Sequence, residues 1–291
     1  MKNINIFCFG FGQVAKNFIN KINLEKININ LSTTSTAKTE LKKFGNIKYM
    51  NYRFRDSFFD DKLIEKLKAS DYLLVSIPPI NGKDLVIENF KEVFKKCDFK
   101  WLTYLSATSV YGDHKGKWVN ELSSTKPTSN NGIDRLKSEL SWLEISNKNK
   151  IPLQIFRLSG IYSDKNNILV RLKNGKANII KKKNQFFSRI HLDDIGNILF
   201  KSLFNFRSGE IFNISDDKPA SSEEVILHGI KILNIDKPKI LEVQNIKSEM
   251  LKNFYKDSKK VDNKKMKIFF NYNLKFPTYI EGLNKIRSNI I

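Results

Sequence analysis

Long hydrophobic runs are absent from this sequence, and their absence limits where the protein can work. None of the 291 residues lies in a continuous apolar stretch of the roughly 18 residues that a membrane-spanning helix needs. Residues 1–13 alternate polar and apolar side chains and reach a glycine early, unlike a secretory signal peptide. We therefore expect a cytoplasmic protein with no membrane segment.

Cysteine and histidine are scarce, which excludes two further classes of protein. Cys8 and Cys97 are the only cysteines and both have apolar neighbours, so a disulfide framework is excluded and a reducing compartment is indicated. The three histidines, His114, His191 and His228, show no metal-ligand spacing, and no metal site is predicted. No G-x-S-x-G or P-loop pattern occurs either.

Arginine is also rare, and this weakens the most obvious interpretation of the charge. The formal net charge is +21, but it comes from 43 Lys and only 8 Arg. Nucleic-acid recognition favours the guanidinium fork, and abundant Lys together with Asn, Ile and Phe is typical of A/T-rich coding sequence. A nucleic-acid partner is thus the least favoured hypothesis, although a phosphate-bearing small molecule would be attracted to this charge.

The hydrophobic 41% of the chain is arranged in alternating strands and helices. Strands are predicted at 3–9, 27–31, 47–51, 71–77, 101–106 and 152–158, and helices at 13–22, 60–69, 85–97 and 132–147. This alternation predicts an α/β fold with a doubly wound parallel sheet. Further along, a helix at 193–204, a strand at 210–214 and a helix capped by Ser221 or Ser222 and ending near 233 are predicted.

The junction of the first strand and first helix carries a GxGxxA turn. Gly10 permits a tight turn, Gly12 lets the backbone approach a diphosphate, and Ala15 allows the helix to pack closely on the strand. The first helical turn, with Gln13 and Val14, offers free N–H groups to an anion. The sequence therefore predicts a nicotinamide-dinucleotide site here.

The end of the second strand bears on which dinucleotide binds. A carboxylate there would bind the ribose hydroxyls of NAD and repel the 2′-phosphate of NADP, and none is present before Glu40. Instead the segment carries Thr33, Thr34 and Ser35, with Lys38 as a candidate phosphate partner. NADP is slightly favoured over NAD, and a solvated loop is the alternative interpretation.

Several motifs together resemble one known superfamily. They are GFGQVA at 10–15, YLSATSVYGD at 104–113, WVNE at 118–121, FRLSGIY at 156–162, RIHLDD at 189–194 and GEIFNISDDKP at 209–219. The chain resembles the short-chain dehydrogenase/reductases, in particular the extended, NAD-dependent epimerase/dehydratase-like branch and its atypical relatives. The resemblance implies a Rossmann domain at 1–160, to which 189–214 return, and a smaller C-terminal substrate lobe at 161–291.

The resemblance also implies ligands and their contacts. Asp56 corresponds to the family's residue on the adenine side, and Ser76 and Pro78 fall in the loop beneath the cofactor. A small molecule with a carbonyl or hydroxyl group, or a nucleotide sugar, is the implied substrate. The family also allows a homodimer.

At the positions of the family's catalytic Ser, Tyr and Lys, this sequence has other residue types. Counting from the VYG and helix motifs, the three positions are Ala107, Asn131 and Arg135. Asn131 cannot exchange a proton, whereas Arg135 can still donate hydrogen bonds to a ribose. Ser106 or Thr108 could supply the hydroxyl if the register differs by one residue.

No tyrosine occurs between residues 112 and 161, so a substitute acid or base has to come from elsewhere. Tyr111 and His114 are the candidates, because they follow the fifth strand at the edge where such sheets bind ligands. The alternatives are a packing role for Tyr111 and an exposed loop position for His114. His191 either contacts substrate or belongs to a structural junction before the helix that Asp193 and Asp194 begin.

Besides the least favoured hypothesis of a nucleic-acid partner, two functions remain open. One is an atypical oxidoreductase, epimerase or dehydratase that uses NADP or NAD with a non-standard acid or none. The other is a dinucleotide-binding sensor or regulator that has lost the reaction.

Overall fold

The computed structural model describes residues 3–246 and 248–290 of the chain. The elements of its first half are β1 (Ile4–Phe9), α1 (Gln13–Leu24), β2 (Ile29–Ser35), β3 (Glu40–Phe44), β4 (Ile47–Arg55), β5 (Phe58–Phe59), α2 (Asp61–Lys68), β6 (Tyr72–Val75), α3 (Leu85–Phe94), β7 (Trp101–Ala107), β8 (Trp118–Val119) and α4 (Asn130–Asn149). The elements of its second half are β9 (Leu153–Leu158), β10 (Gly160–Tyr162), α5 (Ile168–Lys173), β11 (Ile179–Lys181), β12 (Arg189–His191), α6 (Leu192–Ser202), β13 (Ile211–Ile214), α7 (Ser222–Leu233), β14 (Ile240–Glu242), α8 (Glu249–Phe254), β15 (Lys260–Val261), α9 (Lys264–Phe269) and α10 (Tyr279–Ile290).

A central sheet of nine strands, counted over the described residues, organises the chain. Its order is β13-β9-β7-β6-β1-β2-β4-β3, with β5 paired to β4. β1 runs parallel to β2 and β6, and the β2–β4 and β6–β7 pairs are parallel too. The predicted α/β fold with a doubly wound parallel sheet is confirmed.

Apolar side chains explain why the first βαβ unit forms as it does. β1 buries Phe7 and Phe9 completely, as expected for a strand covered by helices on both faces. α1 buries Phe18 and Ile22, which lie one turn apart on one face of the helix. Phe9 contacts the ring of Phe90 from α3 at 5.1 Å, so strand and helix share a single aromatic core.

Two strands of the central sheet, β3 and β5, were not predicted from the sequence. β3 pairs antiparallel with β4 at the sheet edge, after a turn in which Gly45 has φ +56°. Its sequence, ELKKF, is mostly charged, and an edge strand needs no buried face, so it lacks the apolar signal on which the prediction relied. β5 is only two residues long. The second strand also runs to Ser35, beyond the predicted end at residue 31.

The described contacts divide the chain into two compact units. The first takes the residues up to Ser106, Asp134–Arg157 and Ile195–Phe212, and the second takes Ala107–Ile133, Leu158–Asp194 and the residues from Asn213 onward. The domain boundary at residue 160 stays a prediction, because compact units defined by contacts are not tests of independent folding.

The second unit contains the helix predicted to follow Ser221. The Ser221 hydroxyl accepts a hydrogen bond from the Glu224 amide, and the Glu224 carboxylate accepts one from the Ser221 amide. This capping box starts α7, and Asn234 ends it in the left-handed region at φ +51°. α7 buries Val225 against Leu169 and Leu283 of its neighbours, and the predicted helix is confirmed.

Candidate functional site

The glycine turn lies in the first unit, where three predicted site residues meet. Gly10 has φ +84°, and its amide donates to the Thr34 hydroxyl at 3.0 Å. The Ser76 hydroxyl lies 3.0 Å from the carbonyl oxygens of Phe9 and Gly10. A Cβ at Gly10 would lie 2.6 Å from Ile77, so the fold itself requires glycine there.

Gly12 differs from Gly10 because nothing in the protein requires it. It is the N-cap of α1 at φ −79°, and a Cβ built on it meets no atom within 4 Å. No side chain caps the helix, and its first turn holds no acidic residue. The amides at the start of α1, from Gln13 through Ala15, are therefore available to an external anion, and their contact with a diphosphate stays a prediction.

The hydroxyl segment predicted near the adenosine is largely part of β2. Thr33 and Thr34 are buried, and the Thr33 hydroxyl donates to the Asn51 side chain at 3.1 Å. The Asn51 amide in turn donates to the Ser35 hydroxyl at 2.9 Å. The alternative of a solvated loop is thus wrong for residues 31–35, and the cofactor contacts assigned to these hydroxyls stay a prediction.

Asp56 occupies a strained turn between β4 and β5. Its φ is +54°, and its carbonyl oxygen accepts a hydrogen bond from the Asn89 side chain at 3.1 Å. Its carboxylate is exposed, 3.9 Å from the Arg55 guanidinium. Pro78, in the loop after β6, is exposed as well. The side chain of Asp56 therefore has room for a ligand, while its backbone shapes the turn.

Arg135 lies on α4 and is anchored to the adjacent strand of the same unit. Its Nη1 donates to the Leu105 carbonyl oxygen at 2.5 Å and lies 3.4 Å from the Tyr104 hydroxyl. One residue earlier, the Asp134 carboxylate accepts a hydrogen bond from the Gly82 amide at 3.0 Å. The start of α4 is thereby tied to the loop that follows β6.

The other two predicted triad positions belong to the second unit. Ala107 ends β7 half-buried, and Asn131 is exposed in the first turn of α4. Gly132 follows, where a Cβ would lie 2.7 Å from the Ser109 carbonyl oxygen and 2.9 Å from Pro127. This close approach explains why glycine follows Asn131, and the sequence prediction missed it.

The two candidate substitutes for the missing tyrosine have different surroundings. Tyr111 is fully buried, and its hydroxyl donates to the Asn213 side chain at 2.7 Å. His114 is half-buried, with Nε2 at 3.2 Å from the carbonyl oxygens of both Tyr111 and Ser124. Two carbonyl acceptors favour the tautomer with the proton on Nε2, which leaves Nδ1 as a proton acceptor.

His191 lies in a packed junction of the second unit. Its Nδ1 accepts a hydrogen bond from the Asp193 amide at 3.1 Å, its ring contacts Tyr162 at 5.1 Å, and burial lowers its pKa. The Asp194 carboxylate accepts from the Tyr272 hydroxyl at 2.6 Å, and burial raises the pKa of that carboxyl. These contacts favour the structural interpretation of the RIHLDD motif.

A buried ion pair in the first unit was not predicted. Glu139 and Arg157 are 1% and 5% exposed at their side chains, and Nη2 of Arg157 lies 2.7 Å from the carboxylate. Nε of Arg157 also donates to this carboxylate at 3.1 Å. The pair joins α4 to β9 four residues after Arg135, and it fixes the helix that carries Arg135.

The residues that the structure describes contain neither a cluster of metal ligands nor a membrane-spanning helix. Within them, no group of three or more His, Cys, Asp or Glu side chains is arranged to hold a metal ion. No helix among them has both the length and the apolar character required to cross a bilayer.

Solved structures share this fold over almost the whole chain. A conserved protein of unknown function from Silicibacter pomeroyi is 26% identical, with a TM-score of 0.82 and 99% of each chain covered. UDP-glucuronic acid 4-epimerase from Bacillus cereus, in complex with NAD, is 16% identical, with a TM-score of 0.78 and 99% of each chain covered. UDP-glucose 4-epimerase from Thermotoga maritima, with UDP-glucose, is 15% identical, with a TM-score of 0.79, covering 99% of this chain and 98% of that one.

No protein-family model and no curated protein matches the sequence. The fold nevertheless defines the class: a Rossmann-type α/β protein that shares its fold with UDP-sugar 4-epimerases. The resemblance predicted from the motifs is confirmed at the level of the fold, because the solved structures that share it include UDP-sugar 4-epimerases and a dTDP-glucose 4,6-dehydratase.

Proposed function

We propose that this protein binds NADP or NAD and acts as an atypical oxidoreductase, epimerase or dehydratase on a small molecule. The observation that carries the proposal is Gly12, which opens an uncapped helix N-terminus directly after a buried strand. The backbone amides there would hold the diphosphate. The substrate class we favour is a nucleotide sugar or another molecule with a carbonyl or hydroxyl group, since structural neighbours include UDP-sugar epimerases.

The adenosine end supports NADP slightly over NAD. β2 ends at Ser35 without a carboxylate, and Lys38 beyond it is 80% exposed at its side chain. Glu40 contacts both Lys38 and Lys42, at 3.4 and 3.2 Å, so this edge keeps a net positive charge. A 2′-phosphate would meet cations here and no unpaired carboxylate. Parallel calorimetric titrations with NADP and NAD test this preference.

At the nicotinamide end, Arg135 would donate hydrogen bonds to the ribose hydroxyls. The bound nicotinamide would supply hydride acceptance and donation. Asn131 cannot move a proton, so the substrate hydroxyl has to exchange its proton with another group. His114 is our candidate because its Nδ1 is left as an acceptor, and Thr108 could orient the substrate oxygen in place of Ala107.

The experiment is a turnover assay with product analysis. Purified protein is incubated with NADP or NAD and a panel of UDP-sugars and small carbonyl compounds, while the absorbance of the reduced cofactor is followed. Chromatography of the products detects epimerisation, which leaves no net redox change. Products that form only with cofactor support the proposal, and a panel without products contradicts it.

A second candidate is a non-catalytic dinucleotide sensor, favoured by the exposed Asn131 at the tyrosine position. It predicts cofactor binding without turnover. The variant Asn131→Tyr, Arg135→Lys, Ala107→Ser restores the family's three residue types. Turnover by this variant and none by the wild type would favour the sensor. The homodimer implied by the family resemblance is a separate proposal, which sedimentation velocity tests.

A further inference from the structure

The Arg135 side chain, on α4, is fixed by contacts with strand β7 of the first unit. In the family pattern a cation at this position follows a tyrosine on the same helix, and here that helical position carries Asn131. Instead the guanidinium Nη1 contacts β7, at the Leu105 carbonyl oxygen (2.5 Å) and the Tyr104 hydroxyl (3.4 Å). The guanidinium carbon also lies 5.9 Å from the centre of the Tyr104 ring.

Tyr104 itself is fixed by its own surroundings. The side chain is fully buried, and its ring stacks on Trp142 at 5.9 Å with 28° between the planes. Ser138 contacts the phenol, and both Ser138 and Trp142 donate hydrogen bonds to the Asp84 carboxylate. Burial raises the pKa of Tyr104, so the phenol stays neutral and can accept a hydrogen bond from the guanidinium.

The Asp84 carboxylate connects Ser138 and Trp142 of α4 to the start of α3. Its other oxygen accepts the amides of Val86 and Ile87 at 3.0 and 3.1 Å and caps α3. The loop after β6, the start of α3, β7 and α4 are thereby joined through one buried carboxylate. A side chain fixed at the end of this network has few alternative positions.

The guanidinium retains capacity for a ligand. Nη1 is the only nitrogen of Arg135 that donates a hydrogen bond within the described part of the chain, and the side chain is half-buried. Nε and Nη2 are therefore available to an acceptor outside the protein. A lysine ammonium has no rigid fork and could not divide its donors between strand and ligand with such fixed geometry.

We infer that Tyr104 is a positioning residue for the cofactor: with the Leu105 carbonyl it holds Arg135 so that the remaining N–H groups meet the nicotinamide-side ribose. This inference rests on the proposed function. The residue that orients Arg135 is then Tyr104 on β7. The family pattern has a tyrosine on the helix instead, at the position of Asn131. Tyr104 is buried and takes no part in proton transfer.

A double-mutant cycle on cofactor affinity tests the inference. Calorimetry measures the dissociation constant of whichever dinucleotide, NADP or NAD, binds the wild type more tightly. It also measures that of the corresponding fragment without the nicotinamide riboside, which is 2′-phospho-ADP for NADP and ADP for NAD. Arg135→Gln should weaken dinucleotide binding about tenfold, and Tyr104→Phe about threefold. The double variant should be no weaker than Arg135→Gln alone, because Tyr104 acts only through Arg135.

Two controls separate positioning from a general loss of structure. The fragment should bind all four proteins equally, since the glycine turn is unchanged. Tyr52→Phe, which removes another buried phenol of the same unit, should leave every dissociation constant unchanged. Tyr104→Phe keeps the ring on Trp142 and loses only the hydroxyl contacts, so its midpoint of thermal unfolding should fall by no more than about 2–4 °C.

The inference is overturned if Tyr104→Phe leaves dinucleotide affinity unchanged, if the two fold-changes multiply, or if the fragment weakens in parallel. Failure of the wild type to bind either dinucleotide overturns the proposed function and this inference together. Normal wild-type binding with an unresponsive Tyr104→Phe overturns the inference alone.

Discussion

Replacing Gly12 with alanine is the sharpest test of the dinucleotide site, because the glycine next to it in the motif provides a contrast. At Gly12 the backbone has φ −79° and a new Cβ meets nothing within 4 Å. We expect Gly12→Ala to change the free energy of unfolding by less than about 1 kcal/mol. The added methyl would occupy the space that the diphosphate needs, so cofactor affinity should fall at least about tenfold.

Gly10→Ala, in contrast, should lower the stability of the protein. Its φ of +84° disfavours any side chain by about 1–2 kcal/mol, and its Cβ would lie 2.6 Å from Ile77 and 2.9 Å from Ser76. Overpacking of this kind adds about 1–3 kcal/mol, for a total destabilisation of about 2–5 kcal/mol.

Urea-induced unfolding and calorimetric titration of each variant measure the two effects separately. The reasoning predicts that Gly12→Ala loses binding and keeps its stability, whereas Gly10→Ala loses stability. A Gly12→Ala protein that binds NADP and NAD as tightly as the wild type would refute the assignment of this turn to the diphosphate.

Three further predictions concern stability and the candidate proton-transfer groups. Glu139→Gln should lower the free energy of unfolding by about 3–5 kcal/mol, because the substitution removes the anion that pairs with the buried Arg157 guanidinium. In urea titrations, the double variant Glu139→Met, Arg157→Met should lose less stability than Glu139→Gln. An equal or larger loss in the double variant would contradict this reasoning. Burial raises the pKa of Asp216 well above its usual value, so the contribution of this carboxyl to stability should fall as pH rises above about 4, where the unfolded carboxyl ionises. Asp216→Asn should therefore gain stability over the wild type between acid and neutral pH, and a gain that does not grow with pH would count against the argument. Tyr111→Phe should cost about 1 kcal/mol through its lost bond to Asn213 and leave the pH profile of any turnover unchanged, whereas a lost basic or acidic limb would show that the phenol reacts.

The fold was largely predictable because it follows from the order of apolar segments. The buried strand β6 is apolar throughout, and helices such as α1 and α3 have a regular apolar face. The edge strand β3 and the short β5 could not be found in this way, because neither buries a continuous face. The extension of β2 to Ser35 was missed because its buried residues are threonines, whose hydroxyls bond within the sheet.

Of the candidate site, only the part that depends on a short local motif could be predicted from the sequence. The glycine turn follows from three positions in one short segment, and Gly10 has the positive φ, +84°, that such a tight turn uses. The partners of Arg135 lie some 30 residues away along the chain, on Tyr104 and Leu105, and no local pattern signals such a contact. The Glu139–Arg157 pair joins two elements in the same way.

Crystals soaked with NADP or NAD give the most direct measurement of the central claim. The account predicts a dinucleotide whose diphosphate lies within hydrogen-bond distance of the backbone amides from Gly12 to Ala15, with the nicotinamide-side ribose at the Arg135 guanidinium. A saturated soak that leaves the glycine turn without ligand, or places the dinucleotide elsewhere on the protein, would contradict it.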